Sequence, residues 1–95
     1  MDVKQNSKNF ESKQIKPIIK LKTGKCARVV DIKSNDSEVV EKLESMGIRA
    51  GIVLKKISAS LFHGPIILEK DFNQIAIGYD LAKKISVEFL DQELS

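Results

Sequence analysis

At 95 residues the chain has room for one modest hydrophobic core and none for a site built between two lobes. Its 42% hydrophobic and 31% charged residues are the balance of a globular chain, no apolar run approaches the ~18 residues of a membrane helix, and a single cysteine, Cys26, excludes an intramolecular disulfide and any multi-cysteine metal site. The formal charge of +3 is unevenly placed: residues 1–25 carry seven lysines against Asp2 and Glu11, so that stretch is +5 while residues 26–95 sum to −2.

Up to Lys16 the chain is polar, with Val3, Phe10 and Ile15 as its only apolar interruptions and no sustained period, so residues 1–16 read as a disordered basic tail. The tail lacks the continuous apolar stretch of a signal peptide, which predicts a cytoplasmic protein. Pro17 restricts Lys16 to extended geometry, and the apolar Ile18, Ile19 and Leu21 follow, so a single folded domain is expected over 17–92.

Thr23-Gly24 forms a turn ahead of a β-branched stretch ending at Ile32, whose adjacent Val29 and Val30 break the alternation and call for a bulge or burial on both faces. A helix is predicted over about 36–46: Asn35 and Glu38 fit a capping box, and Val39, Leu43 and Met46 fall on one face. Gly47 takes the left-handed position after the helix and Ile48 packs back on Leu43. Gly51 then opens a second strand, Ile52 to Ala59. SLFHGP is a loop in which apolar Leu61 and Phe62 precede a His63-Gly64-Pro65 turn; IILEK and NQIAIGY are strands joined by a hairpin near Asp71, Phe72 and Asn73; DLAKK is one helical turn; and Ile85, Val87 and Phe89 alternate in a closing strand. Five short strands with one inserted helix make a mainly β protein, and a small, partly open barrel buries such strands better than a doubly wound sheet, which needs repeated helical crossovers. An open barrel with a short edge strand and an apolar loop can also self-associate weakly.

Little chemistry is on offer. A nucleophile-base pair would need Cys26 and His63 to meet, and a metal site at His63 would need Asp71 or Glu69 without any recognised ligand spacing, so no catalytic, cofactor or metal residue is assigned and no enzyme is expected. Cys26, beside Ala27 and two valines, reads as a small buried hydrophobe. Gly47 and Gly51 do not cradle phosphate, because they follow a helix C-terminus, whose dipole repels anions. The lysines sit in the tail rather than on a stripe interleaved with aromatics, so no nucleic acid partner is expected. Leu61 and Phe62, with His63 beside them, have no alternation to bury them and suit a protein contact, and Arg49 is a further candidate for one.

LKTGKCARVVDI, EKLESMGIRAGIVLKKI and GPIILEKDFNQIAIGYDLAKKISVEF together resemble the FeoA family of small cytoplasmic proteins of bacterial ferrous iron uptake, over roughly residues 18–90. The positions carrying the resemblance are Gly24, Leu43, Gly47, Ile48, Gly51, Gly64, Pro65, Ala82, Ile85 and Val87. It implies an SH3-like β-barrel, no catalysis and no bound cofactor, and a partner in the FeoB-type ferrous iron permease, whose cytosolic part binds GTP; contact with the membrane would be indirect, through that permease. The same barrel is similar to the C-terminal domain of iron-dependent repressors, although this chain has no room for their helix-turn-helix; the alternative reading is a metal-responsive barrel using His63 and carboxylates, or a nucleic-acid-binding one using the N-terminal lysines.

Overall fold

The computed structural model describes residues 14–90; the expected tail falls on residues 1–16 and so lies mostly outside them. Six strands form one antiparallel sheet: β1 (Ile15–Pro17), β2 (Cys26–Ile32), β3 (Val53–Ala59), β4 (Ile66–Lys70), β5 (Asn73–Ile77) and β6 (Ile85–Phe89), in the order β1-β6-β2-β3-β4-β5. Helix α1 (Ser37–Ser45) lies between β2 and β3, a one-turn helix α2 (Tyr79–Ala82) between β5 and β6, and a 3₁₀ turn (Ile18–Lys20) follows β1. The result is the mainly β, SH3-like architecture with one inserted helix of more than a single turn. It has one more strand than the sequence suggests, because Ile15 and Lys16 pair with Glu88 and Val87. Three residues, two of them a lysine and a proline, show no period of their own; β6 supplies the partner that makes them a strand.

Two bulges curve the sheet. One falls between Val29 and Asp31 on β2, where the adjacent valines are resolved by turning Val29 into the core and Val30 towards solvent; the other lies between Lys56 and Ser58 on β3. The concave side holds a core to which every layer contributes, including Ile18 and Leu21 from the segment after β1, Leu43 from α1, Leu54 and Leu68 from the central strands, and Ile85 and Val87 from β6.

Helix α1 is set by its ends. Asp36, rather than Asn35, is the N-cap: its carboxylate accepts from the Glu38 N–H at 2.9 Å, while its own N–H donates to the Ser34 hydroxyl at 3.0 Å. At the other end the Ile48 N–H donates to the Leu43 carbonyl (3.0 Å) and the Gly47 N–H to that of Glu44 (2.9 Å), with Gly47 at φ +87°, a Schellman ending that returns Ile48 into the core beside Leu43. Gly51 then bonds across to β2 through the Val29 carbonyl, 2.8 Å away, which starts the β2–β3 pairing.

Lysine 56 is an unexpected member of the interior, 6% exposed. Its Nζ donates to the Leu21 carbonyl at 2.7 Å and the Ile19 carbonyl at 3.2 Å, while its backbone N–H donates to the Lys25 carbonyl and its C=O accepts from the Gly24 N–H. One residue thus fastens the whole segment from Ile19 to Lys25 onto β3. Burial lowers its pKa from the ordinary lysine value of 10.5.

Candidate functional site

The loop between β3 and β4 is built as a strained pedestal. Ser60 N–H donates to the Pro65 carbonyl at 3.1 Å, closing the base, and Gly64 N–H donates to the Leu61 carbonyl at 3.3 Å, closing the tip. The two residues at the centre of that tip, Phe62 (φ +56°) and His63 (φ +63°), are both left-handed, the geometry of a type I′ turn that ordinarily selects Asn and Gly. Gly64 permits the close return of the chain, since a Cβ there would stand 2.6 Å from the Ser60 Cβ.

The outcome is that Leu61 is 80% and Phe62 96% exposed. Phe62 does not fold back over the barrel end as core. His63 holds the loop from the other side: its ring stacks on Tyr79 of α2 with centroids 4.1 Å apart and planes 9° from parallel, and the Lys83 Nζ lies 5.8 Å from the Tyr79 centroid. Tyr79 has no apolar period to announce it, and sequence reasoning missed it; the only sequence-level signal was an aromatic residue at the start of a helical turn.

The remaining candidates lie elsewhere. Arg49 stands at the C-terminal end of α1, where its Nη2 donates to the Glu44 carbonyl at 3.1 Å and so serves as a helix cap. Cys26 is half-buried rather than a core residue, because it falls on the outward parity of β2 opposite Lys55, and it lines an open concavity of about 410 Å³ with Val53, Lys55, Glu69, Asp71 and Phe72. Cys26 and His63 are thus placed in different surroundings, one facing Lys55 and the other stacked on Tyr79. Among the described residues no group of three His, Cys, Asp or Glu side chains could hold a metal ion, and no helix among them is long and apolar enough to cross a membrane.

A model of the FeoA domain matches residues 16–89. The chain belongs to the FeoA domain family. That membership ties it to ferrous iron transport and agrees with the SH3-like sheet. The chain is similar to the crystal structure of an iron uptake regulatory protein (FeoA), with 28% identity, a TM-score of 0.71, and 81% of this chain and 99% of that one covered. An FeoA-like protein from Clostridium acetobutylicum shares the fold at 22% identity and a TM-score of 0.75, over 86% of this chain and 94% of that one. A manganese-dependent transcriptional repressor also shares it, at 22% identity and a TM-score of 0.75; there the match covers 83% of this chain but 44% of the repressor. No curated protein matches the chain.

Proposed function

We propose that this FeoA domain is a non-catalytic accessory module of ferrous iron uptake, acting in the cytoplasm by binding a FeoB-type permease, at its cytosolic GTP-binding part, through Leu61 and Phe62. The observation that carries the reading is the cost of the loop. Two left-handed non-glycine residues are disfavoured by ~1–2 kcal/mol each, and backbone strain that surrounding structure maintains is a mark of functional sites. Here the strain serves to raise a phenylalanine that contributes nothing to the core, on a base fixed by hydrogen bonds and by the His63–Tyr79 stack. An aromatic ring presented on a rigid support is the kind of residue that dominates protein–protein binding energy.

The test is a binding measurement between the purified cytosolic part of the permease and two forms of this protein, wild type and Phe62→Ala, matched in thermal stability. Binding weakened at least tenfold is expected for the variant. Equal binding by both forms would remove the loop from the interface. A second reading, a metal-responsive barrel, draws on the fold shared with the manganese-dependent repressor. Titration with Fe(II) or Mn(II) followed by amide NMR would support it through a saturable shift of one cluster of signals, and uniform weak broadening would exclude it.

A further inference from the structure

The sheet ends on one side at β1, a three-residue strand with Lys16 and Pro17, both of which discourage further pairing. It ends on the other side at β5, whose Asn73, Gln74, Ile75, Ala76 and Ile77 include neither a charge nor a proline. Asp71 and Phe72 form a two-residue turn, so Lys70 and Asn73 are the closing hydrogen-bonded pair of the hairpin. Bonded and non-bonded pairs alternate from there, which turns the N–H and C=O groups of Gln74 and Ala76 away from β4. No strand among the described residues pairs with that edge.

Two features stand beside this edge. Phe72 is 93% exposed and left-handed (φ +69°), a bulky ring in a turn position that favours glycine or asparagine. Gly78 is the converse: its φ of −61° and ψ of 151° suit any residue, and a Cβ built on it meets nothing within 4 Å. Gln74 and Ala76 share one face of β5, Phe72 stands in the turn before it and Gly78 just after it, and the four decrease in size along the chain from the turn to α2.

We infer that β5 is a self-pairing edge at which two copies of this chain join antiparallel, about a two-fold axis at Ile75. In this register Ile75 meets its own counterpart, Gln74 faces the second copy's Ala76, and Phe72 faces the second copy's Gly78. The graded series, read in opposite directions on the two strands, sets a large side chain beside a small one at every pair. An aromatic ring lying across from Gly78, the residue just beyond the strand, covers the backbone that the glycine leaves bare. The outward N–H and C=O groups of Gln74 and Ala76 exchange hydrogen bonds across the axis, no like charges oppose each other, and the same patch serves both copies, as an isologous interface requires. A slip of one residue would set outward backbone groups against inward ones. The occupant is therefore a second copy, because the complementarity is of this strand with itself.

A five-residue pairing buries less than the ~1,200 Å² of a stable complex, so the dissociation constant is expected on the order of 0.1–1 mM. Sedimentation equilibrium of the full chain across roughly 10 μM to 1 mM tests this, the range being chosen to bracket that constant. Wild type should pass from monomer towards dimer over the series. Ala76→Pro removes only the N–H that points to the open edge, and Gly78→Val fills the space that the ring of the second copy would occupy. Both variants should remain monomeric at the highest concentration while thermal unfolding at the lowest shows each still cooperatively folded. A wild type that stays monomeric throughout, or variants that associate as wild type does, would overturn the inference. Phe62 is not among the residues paired in this register, and Ala76 lies farther along the chain from Tyr79 than Gly78 does, so loss of self-association in Ala76→Pro leaves permease binding through that loop as a separate question.

Discussion

Burying an ammonium group against two carbonyls makes Lys56 the most consequential charged side chain of the fold. Its folded pKa is lowered from 10.5 by burial, so the unfolded chain holds that proton more tightly than the native one. The penalty is fully present below the lowered pKa, and stability is regained as pH rises from there towards 10.5. In Lys56→Met the carbonyls of Ile19 and Leu21 lose their donor, at a cost of ~1–3 kcal/mol, against which stands the relief of the desolvated ammonium, a relief that shrinks as pH rises. Denaturant unfolding should show the variant less stable at pH 7 and the gap widening towards pH 10; a constant gap would mean that the buried ammonium carries no such penalty. Phe62 is expected to behave oppositely. Replacing it with glycine relieves ~1–2 kcal/mol of left-handed strain against ~0.5–1 kcal/mol of added unfolded-state entropy. Phe62→Gly should therefore melt a few degrees higher while binding the permease less well, a combination that a purely structural phenylalanine would not give. Neither behaviour was legible from residue type alone. Lysine reads as solvent-facing although position 56 shares its parity with Leu54, and Phe-His is not a pair from which a turn would be inferred.

At the level of single elements, α1 is where local signals and tertiary context agree best. Capping residues, an apolar stripe and a terminal glycine all act within a few positions of one another, and the helix appears within one residue of the span they indicate. Its cap nevertheless moved from Asn35 to Asp36, because Ser34 receives the Asp36 N–H and turns that side chain onto Glu38. Asp36→Ala should cost about 1 kcal/mol and Asn35→Ala only a few tenths, which paired chemical denaturation curves will separate. Gly47→Ala should cost ~1–2 kcal/mol, since its φ of +87° penalises a Cβ even though the nearest atoms, the end of the Lys70 side chain, stand 3.4 Å off and can shift. β1 marks the other extreme. Nothing within Ile15–Pro17 specifies a strand, and only the register with β6, remote in sequence, does so. The apolar character of the loop is legible in SLFHGP, but its orientation depends on Tyr79, which comes from an element two strands later.

For the whole molecule, the order of the strands predicts a gradient of local stability. Among the described residues β6, β2, β3 and β4 are paired on both sides, whereas β1 and β5 have one neighbour each. Native-state hydrogen exchange should find the amides of Ala27, Leu54 and Val87 opening only with global unfolding, and those of Gln74 and Ala76 exchanging within minutes in dilute solution. Slow exchange of the last two in dilute solution would show that the β5 edge is covered within a single chain.

The antiparallel contact of β1 with β6 has one more effect. Because Ile15 lies opposite Glu88, and the Phe89 N–H donates to the Gln14 carbonyl at 3.1 Å, the chain comes into the domain and leaves it at neighbouring points. A unit of that kind can be spliced into a surface turn of a larger protein without prising the host apart, or its ends can be joined and new ones cut elsewhere. That geometry makes the barrel portable, and it gives a physical reason why a sheet of this shape can also occupy less than half of a repressor.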